Sequence, residues 1–150
     1  MNTLHLEIIT PEKIVYTDEV GMVVVPGSEG NLGILPNHIP LFTKLKSGEI
    51  KVKKENEVIL LAVSGGFVDV QPTKVTILAD SAIRSEEIDE EKALAAKTRA
   101  EELMKQKLSE KESTLAEASL RRALAELRVA KRHKSRGGGL GEQNLSGSRE

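Results

Sequence analysis

The chain has 150 residues, 39% of them hydrophobic, and a net charge of −1, enough for one core domain plus an appendage and with no overall bias toward nucleic acid or acidic substrates. It contains no cysteine, which excludes disulfides, thiol catalysis and cysteine-based zinc sites. The near-neutral total hides an uneven spread: residues 1–84 hold 8 Lys/Arg and 10 Asp/Glu, whereas residues 121–136 hold 7 Lys/Arg and a single acid, Glu126.

The N-terminus has no basic region and places Glu7 where an apolar stretch would run, so no signal peptide is expected. Leu4-His5-Leu6-Glu7-Ile8 alternates apolar and polar residues, the period of a half-buried strand, and Thr10-Pro11 stops it. A short Ile14–Tyr16 segment follows, then Val20–Val25, whose β-branched continuity predicts a strand covered on both faces. Three of the five prolines, Pro26, Pro36 and Pro40, fall in the next 15 residues together with Gly27, Gly30 and Gly33, which predicts a loop of fixed shape. Leu41–Leu45 is strand-like, Lys46-Ser47-Gly48 reads as a turn, and Ile50–Lys53 alternates with its lysines toward water. Glu55-Asn56-Glu57 turns the chain into Val58–Val63. Ser64-Gly65-Gly66 permits a bend before Phe67–Val70, and Gln71–Lys74 turns into Val75–Ala79. Short strands joined by turns, with no helical pattern between them, predict an antiparallel sandwich or barrel. The longest apolar runs, Met22–Val25 and Val58–Val63, fall far short of the about 20 residues of a membrane helix, so a soluble protein is expected.

Composition changes after Arg84. From Ser85 the chain is rich in Ala, Glu, Lys and Leu and has neither Gly nor Pro until Gly137. Ser85, followed by Glu86, Glu87 and Asp89, reads as a helix start with acids at the positive dipole end. Ala93, Ala96, Ala100, Leu103, Met104 and Lys107 trace one helical face, Leu108–Ser113 reads as a break, and Ala116, Leu120, Ala123, Leu124, Leu127 and Ala130 trace another. Two helices of similar length with a short polar loop imply an antiparallel hairpin. At about 25 cal/mol per Å², a seam lined by alanine is weak glue, so the hairpin is expected to be held marginally in any one arrangement. The fold class is therefore α+β: an N-terminal antiparallel β-sandwich or barrel over residues 1–84, a two-helix hairpin over residues 85–134, and a disordered tail over residues 135–150.

No catalytic or metal-binding constellation emerges. His5, His38 and His133 are isolated in sequence. The glycines at 27, 30 and 33 do not have the spacing of a phosphate loop, no Lys-Ser/Thr pair follows, and Pro36 and Pro40 forbid the helix that such a loop requires. Asp89, Glu90 and Glu91 read as a solvated helix start. The basic run Arg121, Arg122, Arg128, Lys131, Arg132, His133, Lys134 and Arg136 admits three readings: a solvated helix end favoured by the dipole, a nucleic-acid contact, for which no stacking aromatic lies nearby, or a contact with an acidic protein surface. A free-standing sandwich adaptor whose basic hairpin binds nucleic acid or an acidic protein thus stands as an alternative.

Taken in order and spacing, Val25-Pro26-Gly27-Ser28-Glu29-Gly30-Asn31-Leu32-Gly33-Ile34-Leu35-Pro36-Asn37-His38-Ile39-Pro40-Leu41, Ser64-Gly65-Gly66-Phe67-Val68-Asp69-Val70, Val75-Thr76-Ile77-Leu78-Ala79-Asp80 and Leu127-Arg128-Val129-Ala130 resemble the epsilon subunit of bacterial F-type ATP synthase over residues 4–133. The resemblance implies a non-catalytic rotor subunit of a proton-translocating ATPase, peripheral on the cytoplasmic face of the plasma membrane and reaching the membrane only through the complex. It implies that Ser28, Glu29, Gly30 and Asn31 face the c-ring and that His38 and Thr43 face the gamma shaft. It further implies that the hairpin folds on the sandwich or extends into the catalytic alpha/beta head and restrains ATP hydrolysis, with Arg121, Arg122, Arg128, Lys131 and Arg132 against an acidic segment. No nucleic-acid partner is implied. Some members bind ATP in the folded hairpin through an Ile-Asp-x-x-Arg-Ala motif. Here it reads Ile88-Asp89-Glu90-Glu91-Lys92-Ala93, with Lys92 lacking the planar guanidinium fork and Glu126 standing one turn after Arg122. A site built from Asp89, Lys92 and Arg122 is expected to bind ATP weakly at best, and no other cofactor is expected.

Overall fold

The computed structural model describes the backbone of residues 2–147 and the side chains of residues 2–134. Eight strands, β1 (Leu4–Ile9), β2 (Ile14–Val20), β3 (Met22–Gly27), β4 (Gly30–Ile34), β5 (Leu41–Lys54), β6 (Glu57–Val70), β7 (Lys74–Ala79) and β8 (Ala82–Arg84), precede one 3-10 turn at Ser85–Glu87 and two helices, α1 (Glu90–Met104) and α2 (Glu110–Gly147). The strands form one sheet in the order β2-β1-β7-β6-β5-β3-β4, with β8 alongside β6. The sheet folds over itself, so that Leu6 and Ile8 of β1, Val23 and Val25 of β3, Ile50 and Val52 of β5, Val68 and Val70 of β6 and Ile77 of β7 meet in one aliphatic core, each fully buried. The architecture is the expected sandwich followed by helices. One pair departs from the antiparallel expectation: β1 and β7 run parallel.

Two 14-residue strands carry the fold. β5 and β6 pair from Leu41↔Val70 to Lys54↔Glu57, so Lys46-Ser47-Gly48 is not a turn but the middle of a strand. Gly48 is favoured there by contact, because a Cβ would stand 3.1 Å from the Pro26 ring and push it aside. The bend expected at Ser64-Gly65-Gly66 is present within β6. Before it, Leu61–Val63 pair with β8; after it, Gly66–Val70 pair with β7. Gly66 has φ +134°, and a Cβ on it would lie 2.0 Å from the Leu78 carbonyl oxygen, so only glycine lets β6 cross β7 at that separation.

Other boundaries differ from expectation for local reasons. Val20–Val25 is two strands interrupted at Gly21, and Met22–Val25 alternates in burial rather than being covered on both faces. The doubly covered strand is β6, where Ile59–Val63 are all buried because α2 lies on the outer face. Within the proline- and glycine-rich segment, Gly30–Ile34 pairs with β3, which makes this segment a hairpin followed by a turn rather than a continuous loop. The first α-helix starts four residues later than Ser85: Asp89 is its N-cap, accepting from the Lys92 N–H at 3.1 Å. Ser85 is instead buried in the 3-10 turn. α1 ends at Met104 and α2 begins after Ser109, whose hydroxyl accepts from the Glu112 N–H at 3.2 Å, so the break is shorter and earlier than Leu108–Ser113. The backbone of α2 continues to Gly147 where a disordered tail from residue 135 was expected; residues 148–150 of that tail lie outside the described residues.

Candidate functional site: docking surfaces and the hairpin seam

The β3–β4 turn puts Ser28 and Glu29 at its tip. Gly27 pairs with Gly30 so closely that a Cβ on Gly27 would lie 2.8 Å from the Gly30 carbonyl oxygen. Gly30 itself sits at φ +136°. Ser28, Glu29, Gly30 and Asn31 are all exposed, whereas Pro26 just behind them is buried. The Ser28 N–H donates to the Lys44 carbonyl at 2.9 Å, which ties the turn to β5. The tip is thus a rigid, polar protrusion on the sheet.

Between β4 and β5, Leu35–Pro40 is pinned rather than loose. Asn37 adopts φ +68° and its N–H donates to the Pro72 carbonyl at 2.8 Å. The His38 N–H donates to the Leu35 carbonyl at 3.2 Å, and its Nδ1 lies 2.7 Å from the Ile39 carbonyl. Thr43 pairs with the inward-facing Val68, so it lies on the opposite face of β5 from Phe42. Close after His38 in the chain, that outward face carries an apolar strip that sequence reasoning missed. Phe42 and Phe67 stack with ring centroids 5.5 Å apart, Phe67 pairs with Leu78 across β6 and β7, and Leu35 and Ile39 stand out nearby in the chain. Phe42 is 64% exposed and Ile39 75%. Both phenylalanines of the chain therefore face solvent. The signal was available: Val68 and Val70 point inward, so Phe67 must point outward on the same strand. Exposed apolar side chains gathered in this way mark a protein-contact surface.

The hairpin lies on the opposite problem, a small buried area. Ala93 and Ala100 of α1 and Ala116 and Ala123 of α2 are buried, while Ala96, Leu103, Met104 and Leu124, expected on the seam, are exposed. α2 meets the sandwich through Ala125 and Val129 against Leu60 and Ala62 of β6, with Ile83 and Ile88 at the margin. The hairpin is therefore folded down on the sheet.

The cations of α2 divide. Arg121 pairs with Glu117 at 4.0 Å and Arg122 with Glu126 at 3.2 Å, both along the helix, while Arg132 reaches Glu49 of β5 at 2.9 Å. Among the described residues Arg128 and Lys131 form no ion pair, and both are exposed. No Phe, Tyr or Trp lies on either helix, so the large flat rings that stack on nucleic-acid bases are missing there.

Asp89, Lys92 and Arg122 do come together, lining a cleft of about 500 Å³ between the helices with Glu87 and Glu126. Three carboxylates face two cations there. The Arg122 Nε is already held by Glu126, and Asp89 is occupied with its cap. The cleft is thus electrostatically poor for a polyanion. Elsewhere, His5 on β1 lies 3.1 Å from Glu19 and 3.3 Å from Glu7, an outward cross-strand cluster. Among the described residues no group of three or more metal-ligating side chains occurs, and no helix is long and apolar enough to cross a membrane.

Known proteins match this arrangement along its length. Residues 3–85 match the family described as ATP synthase, Delta/Epsilon chain, beta-sandwich domain, and residues 86–131 match ATP synthase, Delta/Epsilon chain, long alpha-helix domain. The ATP synthase epsilon chain of Dehalococcoides mccartyi strain BAV1 is 48% identical over 135 residues, covering 89% of this chain and 96% of that one. That of Bacillus licheniformis is 47% identical over 131 residues, covering 87% and 100%. Among solved structures, a chain in the Euglena gracilis mitochondrial ATP synthase OSCP/F1/c-ring assembly superposes with a TM-score of 0.72 at 25% identity, covering 87% of this chain and 82% of that chain. A chain in the central stalk/c-ring of the Tetrahymena thermophila enzyme shares the fold, with a TM-score of 0.55 at 17% identity, covering 83% and 96%.

Proposed function

We propose a function from the premise that this chain belongs to the ATP synthase delta/epsilon family, which its two matched domains and its epsilon-chain relatives establish. It is an epsilon-type subunit of the central stalk. In our reading the sandwich couples the gamma shaft to the c-ring while proton flow turns the rotor, and the hairpin restrains ATP hydrolysis by the alpha/beta head. The subunit contributes no catalytic residue and stands peripherally at the cytoplasmic face of the bacterial plasma membrane, touching it only through the complex.

The observation that carries this reading is the separation of two docking surfaces on one rigid sheet. The polar tip Ser28–Asn31 suits the hydrophilic loops of a c-ring. The pinned segment with His38 and the outward Phe42–Phe67 strip suits a helical shaft that buries apolar side chains; Thr43, on the other face of β5, reaches that shaft only at the strand's edge. Arg121, Arg122, Arg128, Lys131 and Arg132 suit an acidic segment of the head once the hairpin swings out. The small alanine seam supports two packings separated by a few kcal/mol, the size of gap that a rotor state or ligand can bias. The carboxylate-rich cleft around Asp89, Lys92 and Arg122 argues against tight regulatory ATP binding.

The test is a complex carrying residues 1–87 alone. Assembly on gamma and the c-ring is expected to persist, and ATP hydrolysis to rise. Unchanged hydrolysis would remove the inhibitory role, and loss of assembly would remove the assignment of docking to the sandwich.

A further inference from the structure

The grip of α2 on the rest of the molecule ends in three consecutive residues that reach three different elements. Arg132 donates to Glu49 Oε1 of β5 at 2.9 Å. His133 Nδ1 lies 3.2 Å from the Ser85 hydroxyl in the 3-10 turn, and Lys134 Nζ lies 2.8 Å from Glu90 at the start of α1. The apolar seam beneath is non-directional and small, so it does not by itself fix how α2 sits. These polar contacts do.

Glu49 is the unusual member. Its side chain is 13% exposed against 48% for Arg132, and it stands opposite Ala62 in the β5–β6 register. Ala62 lies directly beneath α2, so the carboxylate sits at the rim of the seam. One carboxylate oxygen meets Arg132; the other is buried with no hydrogen-bond partner among the described residues. A carboxylate held this way gains Coulomb energy from the guanidinium but loses hydration, and the two nearly offset. The pair is therefore a reversible clasp rather than a permanent tie.

We propose that Glu49 is an internal stand-in for an acidic protein partner: in the folded hairpin it occupies the Arg132 guanidinium, so hairpin release and capture of an acidic segment draw on the same group and exclude each other. The inference rests on the proposed reading of the basic face of α2 as the acidic-partner contact. It adds an autoinhibitory clasp between β5 and α2 that sets how often this face is offered.

The full chain alone can test it, because the absence of native cysteine makes two introduced ones unique labels. With Thr73→Cys on the sandwich and Lys111→Cys on α2, both at exposed positions, pulsed electron-electron resonance gives the folded-to-open ratio. Glu49→Gln should raise the open:folded ratio roughly two- to fivefold, the scale of a partly exposed ion pair. Glu49→Arg should raise it further, and Glu49→Arg combined with Arg132→Glu should return it toward wild type. Titration with a poly-L-glutamate peptide should open the wild-type chain, and Glu49→Gln should tighten the apparent affinity by the same factor by which it raises the open population. An unchanged ratio in Glu49→Gln, a charge swap no better than Glu49→Arg alone, or poly-L-glutamate affinity unaltered by Glu49→Gln would each overturn the proposal. None of these readouts involves gamma or the head, so their failure is distinct from failure of the truncation test on the assembled complex.

Discussion

The sandwich and the hairpin are built from the same chain by opposite means. In the sandwich, Leu6, Ile8, Val23, Ile50, Val68 and Ile77 are fully buried and come from strands distant in sequence; each removes a branched side chain from water, worth about 1.5–3 kcal/mol. In the hairpin the buried residues are mainly alanines, and among the described residues only Val129 is a fully buried larger side chain on α2. Secondary structure there comes from helix propensity and caps, and position comes from the small apolar cluster around Val129 together with a few polar contacts. In the proposed function the difference separates duties: a rigid body to transmit torque, and a lightly held arm to change partner without unfolding anything.

The largest expected effect strikes the rigid body. Ile77→Ala should destabilise the sandwich by about 2–5 kcal/mol, seen as a lower denaturation midpoint for the whole chain. A shift confined to the helices would break the contrast. Val129→Ala should weaken hairpin docking by about 1.5 kcal/mol, two methyl groups' worth. Hydrogen exchange should speed up in α2 while β6 and β7 amides keep their protection, and equal loss in both regions would mean that the two parts fold as one. Ser109→Ala should cost the hairpin about 1 kcal/mol by removing the cap of α2, with fraying of its first turn as the readout.

The smallest effect lies back in the sandwich. The Tyr16 hydroxyl is buried with no hydrogen-bond partner among the described residues, so Tyr16→Phe should be neutral or stabilising by up to about 1 kcal/mol, while the ring stays beneath Arg84, 5.7 Å away. Burial, and then the Asp18 carboxylate, push the Tyr16 phenol above its ordinary value of 10.0. The folded state therefore holds this proton more firmly than the unfolded state. Its contribution is complete below the unfolded value and is lost as pH rises through the folded one. Wild type should lose stability above about pH 10 more steeply than Tyr16→Phe. Identical alkaline profiles would contradict the burial argument, and absorbance of the single tyrosine follows the titration directly.

Much of the sheet was legible because alternation survives in β1, in the second half of β5 and in β7. β4 was hidden because Gly30, Asn31 and Gly33 bring almost no apolar side chain to show a period. β5 was cut in two because Lys46-Ser47-Gly48 has turn chemistry, and only the contact of Gly48 with Pro26 reveals why a glycine belongs mid-strand. Ser85 and Asp89 are both good caps by type, and burial in the tertiary structure decided between them. At the candidate docking surfaces, the tip at Ser28–Asn31 was readable from its Pro and Gly frame. The Phe42–Phe67 strip required the inward assignment of Val68 and Val70. The Arg132–Glu49 contact joins residues 83 positions apart, a distance over which no local pattern carries information.

The central claim is that the hairpin regulates by where it lies. Ala62 and Ala125 share the buried cluster between β6 and α2, and with no native cysteine the pair Ala62→Cys and Ala125→Cys can lock the arm down by oxidation. In the assembled ATP synthase the locked form should hydrolyse ATP faster than the reduced form, and reductant should restore the restraint. Equal hydrolysis before and after reduction, with the cross-link verified, would contradict the account.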